Sequence, residues 1–109
     1  MSATNEFIEH VRELLAPLGD LQDGRFFGGH GFKVGGVQFA MIMRNILYFC
    51  VDDATRTRYT TRGMQPFSYA TRKTRVEVRR YFAVPEDLLE DADELVRWGR
   101  EALEVARRT

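Results

Sequence analysis

Between residues 25 and 51 the chain is punctuated too often to hold a helix. Short aromatic or β-branched runs at 25–27, 32–34, 37–43 and 46–51 are interrupted by Gly28-Gly29-His30-Gly31, by Gly35-Gly36 and by a tight turn near Arg44-Asn45. Glycine and asparagine tolerate the positive φ that tight hairpin turns demand, so this stretch reads as sequential antiparallel strands, counted as three and ending at 46–51.

Helical spacing appears on both sides. Phe7, Ile8, Val11, Leu14, Leu15 and Leu18 recur at intervals of three and four, with Thr4 as N-cap and Pro17-Leu18-Gly19 closing the run. Asp52 or Asp53 can cap a short basic helix that ends at Arg62, with Gly63 in the C-terminal glycine position. Residues 67–70 and 76–84 form a further hairpin across Thr71-Arg72-Lys73-Thr74, although the alternation frays at Arg79-Arg80-Tyr81-Phe82. Pro85 stops the last strand. A closing helix follows, marked by Leu88, Leu89, Ala92, Leu95, Val96, Gly99, Ala102, Leu103 and Ala106, with Asp91 as a cap or kink. The expected order is α-β-β-β-α-β-β-α, a two-layer α+β domain with an antiparallel sheet and helices to one side.

Length and composition narrow the function classes. A chain of 109 residues with 44% hydrophobic and 29% charged side chains suits one packed domain, 1–109, rather than a disordered segment. No apolar run approaches a membrane span, and the acidic start lacks the pattern of a signal peptide, so a cytoplasmic protein without membrane contact is expected. The single cysteine, Cys50, lies in an apolar run and reads as a buried hydrophobe. With only two histidines beside it, no metal centre is expected.

The glycine cluster does not match a phosphate-binding pattern, because a dinucleotide fingerprint needs glycine where Val34 stands and a helix opening there. Gly28, Gly29 and Gly31 are therefore expected to shape a four-residue turn. His30, between glycines, would be an exposed, mobile imidazole with no partner for acid–base work, and His10 sits among glutamates on the polar side of the first helix. No cofactor is expected, and the chain reads as non-enzymatic.

Net charge is zero, yet residues 54–83 carry eight basic and one acidic side chain, while acidic residues predominate on either side. Arg72, Lys73, Arg75, Arg79 and Arg80, with Tyr69 and Tyr81 interleaved, combine cations and aromatics as nucleic-acid surfaces do. The simpler account, which we favour, leaves the loop solvated and pairs the strand arginines with the acidic last helix.

Taken in order, Phe27-Gly28-Gly29-His30-Gly31-Phe32, Gly36-Val37-Gln38-Phe39-Ala40, Leu47-Tyr48-Phe49-Cys50-Val51-Asp52 and Pro66-Phe67-Ser68-Tyr69 resemble the N-terminal domain of the TfoX (Sxy) family of bacterial competence regulators. Val84-Pro85-Glu86-Asp87-Leu88-Leu89-Glu90-Asp91, then Leu95, Trp98 and Ala102-Leu103, look like that family's closing segment, so the likeness runs over 7–106. His30 and Phe27 stand where Tyr and Met are common in the family. The resemblance implies a secretion-chaperone-like α+β fold, no catalytic residues, and a link to transcriptional control of DNA uptake alongside the cyclic-AMP receptor protein. Two-domain members carry a second, helical domain, which this sequence is expected to lack. Two functions follow as expectations. The first is a regulatory protein-interaction module whose partners include a second copy of the chain. The alternative is weak nucleic-acid binding through 72–80.

Overall fold

Three two-residue turns organise the first half of the sheet. In the computed structural model, which describes residues 4–109, φ is positive at both central residues of each turn: Phe27 (45°) and Gly28 (79°), Gly35 (60°) and Gly36 (78°), Arg44 (53°) and Asn45 (61°). That is the type I′ signature, whose twist matches the right-handed twist of the strands it joins. The turns connect β1 (Leu21–Phe26), β2 (Gly29–Val34), β3 (Val37–Met43) and β4 (Ile46–Cys50) into an antiparallel meander. The stretch thus holds four strands rather than three. β1 begins at Leu21, because Gln22, Asp23 and Gly24, poor strand formers on their own, are held by pairing with Lys33, Phe32 and Gly31. The chain reversal falls at Phe27-Gly28, so Gly29 and Gly31 are strand residues and not part of a four-residue turn.

The rest of the chain completes two layers. α1 (Asn5–Leu15) starts at Thr4, whose hydroxyl accepts from the Phe7 N–H, and is followed by a 3₁₀ turn, Ala16–Leu18. α2 (Asp53–Thr61) opens on a capping box: the Asp52 carboxylate accepts from the Thr55 N–H at 2.8 Å, and the Thr55 hydroxyl accepts from the Asp52 N–H at 3.0 Å. Gly63 follows it at φ +77°. β5 (Pro66–Ala70) and β6 (Arg75–Ala83) form the second hairpin, and a 3₁₀ turn, Glu86–Glu90, leads to α3 (Ala92–Arg108), capped by Asp91. β6 inserts beside β4, giving one six-stranded sheet in the order β1-β2-β3-β4-β6-β5. Among the described residues, no helix is long and apolar enough to cross a membrane.

Register decides what each face of the sheet carries. Phe32, Ala40, Phe49 and Phe82 are aligned across β2, β3, β4 and β6, and all four are buried beneath the helices. Val11 and Leu15 of α1 and Leu95, Trp98, Ala102, Leu103 and Val105 of α3 close this core from above. Tyr59 joins α2 to α3, its ring edge-on to Trp98 at 4.8 Å between centroids. The neighbouring row, Gly31, Met41, Tyr48 and Ala83, belongs to the opposite face, which no helix covers.

Two bulges bend this sheet. One falls between Phe32 and Lys33 in the β2–β3 pairing. In the other, Pro66 pairs with Phe82 but Phe67 pairs with Val78, which leaves Arg79, Arg80 and Tyr81 without ladder partners on β5. This is where the sequence alternation frays. Bulges increase local twist and bend the strand, and the second turns the β5–β6 hairpin toward the uncovered face.

Gly29 is needed for space rather than for positive φ: a Cβ there would collide with the Ile42 carbonyl oxygen and the Met43 sulfur. A Gly29→Val substitution must push β3 backbone away from β2, an overpacking cost of about 1–3 kcal/mol. Thermal unfolding should show the melting temperature falling by several degrees, at about 4–8 °C per kcal/mol for a domain near this size. An unchanged melting point would refute the steric account.

Candidate interaction groove on the open sheet face

The uncovered face is not flat. Phe26, Phe27 and Gly28 from the β1–β2 turn, Met41, Met43 and Arg44 from the end of β3, and Phe67, Tyr69, Val78 and Tyr81 from the last hairpin line one cavity of about 810 Å³. These residues lie far apart in sequence. They meet because the β6 bulge swings the last hairpin toward the first, so the sheet forms a trough with Met41 and Met43 at its floor and Tyr48 buried beside them. Tyr48 meets Phe67 edge to face at 5.4 Å, and Phe67 lies 6.2 Å from Tyr69. Burial raises the Tyr48 and Tyr81 hydroxyls above the usual tyrosine range, against the opposing effect of nearby arginine, so both stay neutral near pH 7.

Phe27 is the most exposed large apolar side chain here. Its accessibility is 87%, and its φ of +45° is a conformation that a bulky residue adopts only under strain. Its ring stands edge-on to Phe26 at 4.8 Å, at the lip of the trough. Tyr69, 41% accessible, forms part of the opposite wall. Folded proteins seldom keep an apolar surface like this uncovered without using it. The sequence signal for the trough was present but ambiguous, since Met41 and Met43 lie in the stretch 39–43, apolar at every position.

The basic segment is arranged differently from the expectation. Among the described residues, none of Arg72, Lys73, Arg75, Arg79 and Arg80 makes an ion pair, so the pairing with the last helix does not occur. Arg75 Nε donates to Ser68 Oγ at 3.1 Å, and Arg80 Nη2 donates to Thr109 Oγ1 at 2.8 Å at the far end of α3. Carboxylates of α3 are engaged elsewhere: Glu94 by Arg97, Glu104 by Arg107, and Glu101 by Arg58 of α2. Arg72 and Lys73 sit exposed at the β5–β6 tip. Tyr69 and Tyr81 face the trough, whereas Arg75 and Arg80 turn to partners outside it. Strand alternation therefore splits the aromatics from most of the cations.

His30 is not the exposed, partnerless residue expected. Its row runs Arg25, His30, Ile42, Leu47 on the helix side of the sheet, and Nε2 contacts Asp23 Oδ2. Asp23 also receives a fork from Arg12 of α1, with Nε at 3.0 Å and Nη2 at 2.7 Å. The Arg12 hydrogen bond, more than the one from His30, overcomes desolvation and holds the Asp23 carboxyl down at about 2. This cluster ties α1 to the β1 edge. Among the described residues, no group of three His, Cys, Asp or Glu is placed to hold a metal ion.

Two outcomes follow. Asp23 has a folded pKa below its unfolded one, so its contribution is complete above about pH 4 and is lost as pH falls toward about 2, amounting to about 1–2 kcal/mol after allowance for the exposed Arg12 partner. Asp23→Asn should lower stability at pH 7 and flatten the acid limb of a stability-against-pH curve; an unaltered limb would remove the cluster's role. Phe27→Asn should instead raise the melting temperature by about 4 °C, because asparagine accepts the turn geometry and relieves about 1 kcal/mol of strain. A drop on calorimetry would mean that Phe27 is a packing residue.

No curated protein matches the chain. The family described as the TfoX N-terminal domain matches residues 13–106, nearly the whole sequence, from the last three residues of α1 through every strand and α2 almost to the end of α3. On that match, and on the six-stranded α+β architecture described above, the chain belongs to the TfoX N-terminal domain family.

Proposed function

We propose that this chain is a non-enzymatic, cytoplasmic protein-interaction module of regulatory type, and that the trough on the open sheet face is its contact surface. The observation that carries this reading is Phe27, an exposed aromatic held in a strained turn at the lip of an apolar trough. Both exposure and strain cost stability, and a surface that keeps such a group is suited to bury it against a partner. Open apolar clefts lined by aromatics and methionines resemble the centres of protein interfaces. The family's association with transcriptional control of competence is consistent with a module that works by contact rather than by catalysis.

Weak nucleic-acid binding through Arg72, Lys73, Arg75, Arg79 and Arg80 has less support, because Tyr69 and Tyr81 are directed away from most of those cations. The discriminating measurement is affinity capture from the source organism with three baits: the unaltered chain, Phe27→Asn, and Arg72→Ala combined with Lys73→Ala. Proteins retained by the first and third baits but lost from the second support the trough. Retention by the Phe27→Asn bait equal to that of the unaltered chain would overturn it, and nuclease-sensitive retention lost only from the third bait would favour nucleic acid.

A further inference from the structure

The charge around the trough selects among occupants. Among the described residues, Arg44 is the one charged residue lining it, and no carboxylate lines it. Beyond Tyr69 the β5–β6 tip adds Arg72 and Lys73; among the described residues none of these three cations is in an ion pair. The trough is therefore apolar at its floor and cationic at its margins. Acidic groups are grouped instead on α1, on α3 and on the turn before α3.

A second copy of this chain, docked trough to trough, would bring like charges together, which opposes association. Its acidic helices could not serve either, because the apolar sides of α1 and α3 are already buried in its own core. An extended peptide is disfavoured for another reason. The trough lies on the face of the sheet, where strand N–H and C=O groups are already paired with neighbouring strands, so an incoming segment must satisfy its own backbone. A helix does so. Met41 and Met43 supply a floor that adapts to the side chains of such a helix, and Phe27 and Tyr69 stand on either side of it.

We infer that the trough receives an acidic amphipathic helix of a partner protein, its apolar stripe against Phe27, Phe67 and Tyr69 above the methionine floor and its carboxylates toward Arg44, Arg72 and Lys73. This rests on the trough being the contact surface, and it names the chemistry of what is bound.

The test is selection from a display library of helix-stabilised peptides, randomised at all outward positions, on the immobilised chain. Recovered peptides are then titrated by fluorescence anisotropy. Recovered sequences should carry apolar residues at i, i+3 or i+4, and i+7, with an excess of Asp and Glu on the flanks. Their affinity should fall about thirtyfold on Phe27→Asn, a variant expected to be more stable than the parent, and about tenfold on Arg44→Glu. Raised salt should weaken binding to the parent more than to Arg44→Glu.

Several results would overturn the inference: no enrichment, enriched peptides without acidic excess, or binding indifferent to both substitutions. So would a concentration-dependent dimer lost in Phe27→Asn, which assigns the trough to a second copy, or oleate shifting the Met41 and Met43 methyl resonances while no peptide is enriched. Failure here together with Phe27-dependent capture of host proteins leaves the contact surface standing and removes only the acidic helix. Failure of both removes the surface.

Discussion

The open face depends on the register that three type I′ turns impose on β1 to β4. With two residues per turn and φ positive at both, each reversal fixes which residue faces which, and a slip of one position would exchange the two faces along a whole strand. In the register adopted, Phe32, Ala40, Phe49 and Phe82 go beneath the helices, while Met41, Tyr48 and Ala83 go to the uncovered side. One of these turns uses two glycines and another sets Arg44 before Asn45. The third places Phe27 where glycine or asparagine would be more comfortable, so the turn that begins the meander holds a bulky aromatic at positive φ.

Both faces of the central strands are apolar, and this explains what could be foreseen from sequence and what could not. α1 and α3 were legible because their buried sides recur at helical spacing, and the capping residues Thr4, Asp52 and Asp91 stand where their side chains accept backbone N–H groups. The glycine pair at 35–36 and the Arg44-Asn45 turn were legible for the same local reason. β3 was legible as a strand, but an unbroken run from Val37 to Met43, with only Gln38 polar, reads as buried on both sides. Nothing local distinguishes Ile42, covered by helices, from Met41, which floors the trough.

Residues joined only through the fold were beyond sequence reasoning. Asp23 and His30 are seven positions apart and become neighbours through the β1–β2 pairing, while Arg12 reaches them from another element. The poor strand propensity of Gln22-Asp23-Gly24 hid the first half of β1, of which only the run from Arg25 was read, and with Asp23 outside it His30 had no visible partner. The basic segment went wrong for a similar reason. Opposite net charge on 54–83 and on the last helix suggested pairing, but the bulge that begins at Arg79 carries Arg80 past the acidic turns of α3 to its C-terminal end. Bulk charge is a property of segments, whereas pairing is a property of directions. The frayed alternation at Arg79-Arg80-Tyr81 was the sequence trace of that bulge.

The two outer strands have a consequence for the stoichiometry of any assembly. β1 carries Asp23 and Arg25 on the helix side and Gly24 between them, and β5 begins at Pro66, which has no N–H to offer. Charges turned inward and proline are the features by which sheet edges resist growth by strand addition. An apolar six-stranded sheet with welcoming edges would be a template for filaments. Here the edges are poor templates, so open-ended growth by strand addition is disfavoured, and a complex formed through the proposed contact on the concave face would end at finite size.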